Sequence, residues 1–308
     1  MSQKPYHSEN LDAIRQKIDA LDTRLHDTLV ERAELVLKIG EEKRKNNIEI
    51  VQPAREARMV RRLLSKHMGA LPEMAVVRIW RELVGAVSLL QTGLSVTVAE
   101  SESVPEYWDL AKDYFGSCLP MSRSTSSLVA VAAVREEKST FAVVPYPNGG
   151  VDDAEDKVWW EMLEPDTENA MSVIVRLPHG DDPDHLNPDY RAVIISKSGF
   201  DTSDDDNSFI YIECGASMSR DKITSLAEEN GLKPISLSSK NRASDPSVRK
   251  HLLEVEGYFT TSSKEVVALQ EAFGEEVSVA AVGGYPVPCN YSKTIVAKSD
   301  DIPPAPAE

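Results

Sequence analysis

The first third of the chain carries apolar residues at every third or fourth position, from Leu11 through to Ile39. This period predicts one amphipathic helix. Asn10 is suited to cap its start and Asn46 to end it, which gives about 35 residues and, at 1.5 Å per residue, about 50 Å. Such a helix is longer than a compact monomer of this size needs. Its apolar stripe is expected to pack on a second copy of the same helix, the simplest partner of equal length.

Two further helices are predicted before the pattern changes. Pro53 suits the first turn of a helix that runs to about His67, because proline lacks the N–H group that would have no helical partner there. A third helix is predicted from Pro72 to about Gln91. No run up to this point alternates as a strand does, so residues 1–92 are expected to form an all-α domain of three helices.

The remaining sequence alternates short β-rich runs with helical segments, which is typical of an α/β or α+β region. Asp-, Gly- and Pro-rich stretches at 178–189 and 200–207 are expected to be loops. We expect one unit at 93–205, a second at 206–290 and a flexible tail at 291–308. The predicted strands are 94–98, 141–145, 172–178, 191–196, 209–214 and 252–257, and the predicted helices are 107–115, 127–137, 221–229 and 263–273.

Charge is distributed unevenly along the chain, whose net charge is −16 at pH 7. Between Leu11 and Gln91 there are 15 Lys and Arg residues against 12 Asp and Glu residues, which gives +3. The first ten residues are neutral in sum, so the residues after Gln91 carry −19. A strongly acidic remainder argues against nucleic acid as a partner.

The cysteine pattern and the hydropathy indicate the cellular compartment in which the protein is expected. Cys118, Cys214 and Cys289 are odd in number and far apart, so neither a disulfide framework nor a zinc site is expected. The first residues lack the apolar core of a signal peptide, and no run approaches the roughly 18 apolar residues of a membrane helix. We therefore expect a cytoplasmic protein that makes no membrane contact.

Three cations on the first helix suggest a pocket for a small dianion. Arg32 and Lys43 are 11 residues apart, which places them on one face about 16 Å apart, within reach of one ligand. Arg15 lies about 42 Å from Lys43 along the axis, so it can join that site only from a second subunit. Two simpler interpretations stay open: Arg32, in step with the apolar stripe, pairs with Glu56, and Lys43 lies on a solvated helix face.

The stretch from Leu11 to Gln91 resembles the all-helical chorismate mutases, through IRQKIDALDTRL, VERAELVLKIGEEK, the REA turn at 55–57 and the ending SLLQ. The resemblance covers about 80 residues without gaps. It implies an intertwined helical homodimer with two composite sites, joined through the first helix. It also implies that Arg32, together with Arg15 of the partner subunit, binds the substrate's carboxylates.

The same resemblance assigns the remaining contacts. Lys43 and Gln91 would flank the ether oxygen of chorismate, Arg55 would support the positive charge of the pocket, and Glu56 would accept the substrate hydroxyl. Two further predicted contact residues depart from the family pattern. Gln52 replaces an acidic residue of many relatives, and Val87 replaces a serine of some.

The implied reaction is the rearrangement of chorismate to prephenate in phenylalanine and tyrosine biosynthesis. It is pericyclic, so no cofactor and no metal is expected, and the protein has only to orient the dianion and stabilise charge on the ether oxygen. One alternative is an isochorismate pyruvate lyase, which shares the helical fold. Another is a non-catalytic scaffold that binds an enzyme of the aromatic pathway.

Residues 93–205 resemble a degenerate prephenate dehydratase and residues 206–290 an ACT domain, through YWDLAKDYFG, FAVVPYPNGG, LLEVEGYF and AVGGYPVP. The Thr-Arg-Phe motif of the dehydratases is not preserved at 170–172 or at 189–191, so no dehydratase activity is expected. Gly215 and Ala216 stand where the effector-binding turn of an ACT domain would be, although SLSSKN at 236–241 lacks the element expected next. An amino-acid effector site is therefore a hypothesis.

Two polar features of this region have simple explanations. SRSTSS at 122–127 is a hydroxyl-rich loop that precedes an apolar helix, so ordinary helix capping accounts for it. His179 and His185 flank an Asp-rich loop and are expected to be surface residues.

Overall fold

The computed structural model describes residues 11–46, 48, 51–100, 107–147, 149–151, 158–165, 170–181, 190–242, 245–274 and 276–291, without the side chains at 89–92, 150, 151, 181 and 242. The predicted tail, apart from Tyr291, lies outside these residues, as does His185. Below, the helical region means residues 11–92 and the sheet region means residues 93–291.

The three predicted helices are confirmed: α1 is Leu11–Lys45, α2 is Pro53–Lys66 and α3 is Glu73–Thr92. Pro53 occupies the first turn of α2, as expected. The apolar stripe of α1 is not covered within the chain, because Leu11, Leu21 and Leu25 are 63%, 59% and 58% exposed. The helical region therefore buries only the part of its apolar surface that α2, α3 and the end of α1 share.

The sheet region begins with an α/β arrangement. Strand β1 pairs in parallel with β2 and β3, and β7 pairs antiparallel with β3 and β5. Two apolar clusters cover the two faces of this sheet, one with α5 and the short 3₁₀ helix Trp159–Leu163, the other with α4. The elements are β1 Val96–Ala99, α4 Tyr107–Phe115, β2 Met121–Ser124, α5 Ser127–Arg135, β3 Phe141–Pro145, β4 Gly150–Val151, β5 Ser172–Leu177, β6 Gly180–Asp181 and β7 Ala192–Ser196.

The second part of the sheet region has the order βαββαβ. Its strands lie side by side as β11-β8-β10-β9, with antiparallel pairing throughout, which is a ferredoxin-like arrangement. A third apolar cluster lies between these strands and two helices. The elements are β8 Asp206–Gly215, α6 Arg220–Glu229, β9 Pro234–Arg242, β10 Asp245–Glu256, α7 Lys264–Phe273, β11 Ser278–Pro286 and β12 Cys289–Asn290.

A close backbone approach joins the two parts into one sheet. Gly283 of β11 pairs with Val173 of β5. A Cβ atom on Gly283 would lie 2.1 Å from the carbonyl oxygen of Val173, and its φ of 101° is one that L-residues rarely adopt. Glycine is therefore required there. Ten of the described strands form one sheet in the order β2-β1-β3-β7-β5-β11-β8-β10-β9-β4, and β12 pairs with β6 in a separate two-stranded sheet.

Several local predictions were wrong. The hydroxyl-rich segment at 122–127 was predicted to be a loop, but its first residues form β2. The segment lacks the apolar alternation that usually indicates a strand, and it is held as a strand by its pairing with β1. The segment at 236–241, for which no element was predicted, lies within β9. The predicted loops at 178–189 and 200–207 contain β6 and the first residues of β8. His179 is half-buried and not fully exposed as expected, and its Nε2 atom is inaccessible to solvent.

The helical region lies directly against the sheet region. A Cβ atom on Gly85 of α3 would lie 1.8 Å from the carbonyl oxygen of Phe115, so only glycine lets α3 approach the end of α4 this closely. On α2, the guanidinium of Arg61 donates hydrogen bonds to the carbonyl oxygens of Ser203, Asp205 and Val287, at 2.7, 2.7 and 3.0 Å. Both α2 and α3 are thereby fixed to the sheet region.

Candidate active site

A cavity of about 360 Å³ lies between the end of α1, the start of α2 and the second half of α3. It is called the helical cavity below. Six residues predicted as site residues line it: Arg32, Lys43, Gln52, Arg55, Glu56 and Val87. The other lining residues are Val36, Ile39, Arg58, Met59, Arg62, Val84 and Ser88. Its size is within the usual range of a small-molecule site.

Lys43 is held at the cavity wall by the residue that departs from the family pattern. Its Nζ atom donates a hydrogen bond to Oε1 of Gln52, at 2.9 Å. Gln52 immediately precedes α2, so this bond ties the end of α1 to the start of the next helix. An amide accepts this bond without neutralising the ammonium. The substitution of an acid by Gln52 therefore leaves the positive charge of Lys43 available to a ligand.

The cavity concentrates positive charge. Burial, and secondly the nearby guanidinium of Arg55, lowers the pKa of Arg32. Burial and then Arg55 likewise lower the pKa of Lys43, against a smaller opposite effect of Glu56. Both shifts mean that the surroundings disfavour the charged forms of Arg32 and Lys43, and an anionic ligand would relieve that cost. The arrangement suits a ligand with more than one negative charge.

Glu56 has partners on the side away from the cavity. Its Oε2 atom accepts a hydrogen bond from Nη1 of Arg81 at 2.6 Å, and one from the hydroxyl of Tyr114 at 3.4 Å. The guanidinium of Arg81 lies over the ring of Tyr114, 4.2 Å from its centroid. Burial, with the nearby Glu56 carboxylate, raises the pKa of Tyr114, so its hydroxyl stays protonated. The ion pair proposed between Arg32 and Glu56 is therefore replaced by one between Arg81 and Glu56.

Val87 and Ser88 both line the helical cavity. Successive helix residues point about 100° apart, but the cavity is wide enough that both Val87 and Ser88 lie at its wall. A hydroxyl is therefore present beside the position where some family members carry serine. Gln91 lies in the last turn of α3, and its side chain is outside the described part of the structure.

Arg15 is far from this cavity in the single chain. Its guanidinium is in solvent, with Nη1 3.4 Å from Oδ1 of Asp12 one turn earlier. The distance along the helix axis between Arg15 and Lys43 is the expected one, about 42 Å, because α1 is continuous from Leu11 to Lys45. The structure therefore gathers six predicted residues in one cavity and leaves Arg15 outside it.

Sequence reasoning missed Arg81 and Tyr114. Arg81 was detectable in principle, because it falls between Val77 and Val84 in the apolar stripe of α3, the same signal that marked Arg32 on α1. Tyr114 carried no such signal, since its contact with Glu56 joins residues 58 positions apart in different regions. The lining residues Arg58 and Arg62 were also missed, and each follows from the helical spacing of α2.

A second cavity, of about 600 Å³, lies at the turn after β8 and is called the Gly215 cavity below. It includes Gly215, one of the two residues predicted for an effector site. The other, Ala216, donates its backbone N–H to the carbonyl oxygen of Ser247 at 2.7 Å. The remaining lining is mixed in polarity: Glu213, Cys214, Ser217, Met218, Ser219, Lys222, Ser247, Val248, Phe273, Glu276 and Val277.

Residues 14–92 match the family model of chorismate mutase type II. The helical region is therefore similar to chorismate mutase type II domains. The match runs from the first turn of α1 to the end of α3 and so includes every residue named for the helical cavity. Within the described residues, no helix has the length and apolar content needed to cross a bilayer. No cluster of His, Cys, Asp and Glu in that same part is arranged to hold a metal ion.

Relatives of the chain extend the likeness beyond the helical region. A bifunctional chorismate mutase/prephenate dehydratase of Aquifex aeolicus (strain VF5) is 28% identical over 144 residues. The aligned stretch is 46% of this chain and 40% of that relative, so the chain spans less than half of the relative's length. Among solved structures, the prephenate dehydratase of Streptococcus mutans covers 65% of this chain and 100% of its own, with 11% identity and a TM-score of 0.44. The prephenate dehydratase of Arthrobacter aurescens, in complex with L-Phe, covers 63% and 90%, with 10% identity and a TM-score of 0.47.

Proposed function

We propose that the helical region rearranges chorismate to prephenate, as an isomerase of phenylalanine and tyrosine biosynthesis. The observation that carries this proposal is the helical cavity of about 360 Å³, which is lined by six of the residues predicted from the sequence. The family match over 14–92 supports the same reaction. The substrate's two carboxylates correspond to the excess of cations in the cavity.

The chemistry follows from the residue types. A pericyclic rearrangement needs no nucleophile, so the protein has to hold the reactive conformer and stabilise the charge that develops as the ether bond breaks. Arg32 would bind one carboxylate. Lys43, held by Gln52 and not neutralised by it, would meet the ether oxygen from one side and Gln91 from the other. Glu56 would accept the substrate hydroxyl, and Arg55 would add to the positive charge.

A second copy of the chain completes this proposal. The exposed stripe of α1 supports a homodimer in which the two first helices pack against each other. Arg15, about 42 Å from Lys43 along one helix, would then reach the cavity of the partner and bind the second carboxylate. Each dimer would hold two composite sites.

Incubation of the full chain with chorismate, and separately with isochorismate, tests the reaction. We expect prephenate from chorismate and no salicylate from isochorismate. Salicylate with pyruvate would instead support the lyase alternative. A chain that converts neither substrate would favour the non-catalytic scaffold.

The sheet region is proposed to be a degenerate dehydratase-like region, 93–205, with an ACT-like part at 206–290. The ferredoxin-like order β11-β8-β10-β9 and the Gly215 cavity support an effector site for an aromatic amino acid. Isothermal titration with phenylalanine and with tyrosine tests this, and heat that is lost in Gly215→Leu is expected. No heat at millimolar ligand would leave the region as a structural part or a surface for another pathway enzyme. No phenylpyruvate is expected from prephenate.

A further inference from the structure

Glu56 faces the helical cavity on one side and two buried partners on the other. We propose that Arg81 and Tyr114 are positioning residues for Glu56, so that the sheet region completes the mutase site from behind. This inference rests on the proposed function, because it assigns the two residues a role in binding the substrate hydroxyl. Neither residue lines the helical cavity, so each would act through Glu56.

Arg81 and Glu56 form a buried ion pair. The side chains of Arg81 and Glu56 are only 6% and 14% exposed, and their closest atoms are 2.6 Å apart. A buried pair is tolerated where hydrogen bonds satisfy it, and removal of one partner leaves an uncompensated charge. Arg81 and Tyr114 both bind Oε2 of the carboxylate. The other oxygen can therefore meet a ligand hydroxyl with its direction already fixed.

Without Arg81 and Tyr114, Glu56 would be exposed to the attraction of the cavity cations. Among the described residues that line the helical cavity, Glu56 is the one carboxylate, and Arg32, Lys43 and Arg55 line the same space. A carboxylate released from Arg81 would turn toward these cations, because opposite charges attract strongly where water is partly excluded. It would then compete with the carboxylates of the substrate. Arg81 thus keeps the acid of the cavity away from the cations that the substrate needs.

Tyr114 comes from the sheet region and not from the helical region. This residue lies on α4, which belongs to the sheet region, and it contributes both its hydroxyl to Glu56 and its ring face to Arg81. A cation over an aromatic ring is stabilised, more so when both are desolvated. Tyr114 is 5% exposed, and α4 is fixed against α3 at Gly85. The direction of Glu56 therefore depends on how the sheet region packs on the helical region.

The test compares steady-state kinetics with chorismate for full-length variants. Arg81→Met is expected to raise KM about 10- to 100-fold, the effect of losing a hydrogen bond to a buried charge. Arg81→Lys should recover part of this loss. Tyr114→Leu is expected to raise KM about 3- to 10-fold and Tyr114→Phe less, because phenylalanine keeps the ring under the guanidinium. Tyr258→Phe is the matched control, since it removes another hydroxyl of the sheet region, which donates to the carbonyl oxygen of Phe200 at 3.2 Å.

The split between KM and kcat separates positioning from simple destabilisation. A variant that is partly unfolded loses active enzyme, which lowers the apparent kcat and leaves KM unchanged. The decisive measurement repeats Tyr114→Leu in a Glu56→Gln background, where the KM effect should disappear if Tyr114 acts through Glu56. An undiminished effect in that background, or an unchanged KM in Arg81→Met and Tyr114→Leu, would overturn the inference alone. A wild-type chain that forms no prephenate would remove the proposed function and this inference with it.

Discussion

The two regions of the chain bury their apolar residues differently. In the sheet region, Val193, Ile194 and Ile195 of β7 are completely buried, between clusters on both faces of the sheet. In the helical region, α1 exposes a stripe of large apolar side chains over most of its length. Exposed contiguous apolar surface of this kind marks an interaction site in a soluble protein. The sheet region therefore has a complete core of its own, whereas the helical region has one that a second chain would complete.

Charge follows the same division. The helical region carries a small positive charge and has five cations around one cavity, whereas the residues after Gln91 carry −19. A dianion would be attracted to the helical cavity and repelled by much of the remaining surface. The cation-lined cavity and the uncovered apolar stripe of α1 thus lie in the same third of the chain. The predictions below test whether activity at the cavity depends on covering that stripe.

The largest expected effect is the loss of Lys43. Lys43→Ala should lower kcat on the order of 100- to 1000-fold, because it removes a donor aimed at the charge that develops in the transition state. Steady-state rates of prephenate formation measure it. Lys197→Ala in the sheet region, which removes an exposed ion pair with Glu137, is the control and should leave the rate unchanged. Arg15→Ala should lower kcat at saturating substrate much less than Lys43→Ala. Comparable kcat values in these two variants would contradict the roles assigned to them.

Disruption of the exposed stripe should have the next largest effect. Leu21→Glu combined with Leu25→Glu places two charges at the expected helix contact, so we predict a monomer by sedimentation and a fall in kcat/KM of at least about tenfold. Thr23→Glu, on the opposite face of α1, should change neither property. A monomer with full activity would show that the helical region needs no partner.

The smallest expected effect sharpens the role of charge. Lys43 has to be protonated to stabilise an anion, and its pKa is lowered by burial and then by Arg55, so activity should fall with rising pH earlier than the usual lysine value implies. Gln52→Glu would place a carboxylate beside Nζ, which raises the pKa and moves this alkaline limb to higher pH. The pH dependence of kcat/KM, which reports the pKa values of the protein without substrate, measures the shift. An unmoved limb would mean that a different group controls it.

Local sequence signals predicted the helical region well. The period of α1, Asn46 beyond its end and Pro53 at the start of α2 act within a few residues, and the structure follows them closely. Helical spacing predicted that Arg32 and Lys43 share one face of α1, whereas the other four predicted residues of the helical cavity came from the resemblance to the chorismate mutases. Strands β2 and β9 were missed, since hydroxyl-bearing residues form them and neighbouring strands supply the pairing. Contacts between regions, such as Tyr114 with Glu56, depend on packing that no local pattern encodes.

Each working site is proposed to need Arg15 from one chain and Lys43 from another. The most direct test mixes Arg15→Ala with Lys43→Ala after unfolding and joint refolding, and measures prephenate formation at chorismate concentrations well below KM, where loss of the Arg15 contact also lowers the rate. Half of the random dimers should be mixed, each with one intact and one doubly altered site, so about a quarter of the wild-type rate should return. Activity that stays at the average of the two separate variants would contradict the composite site.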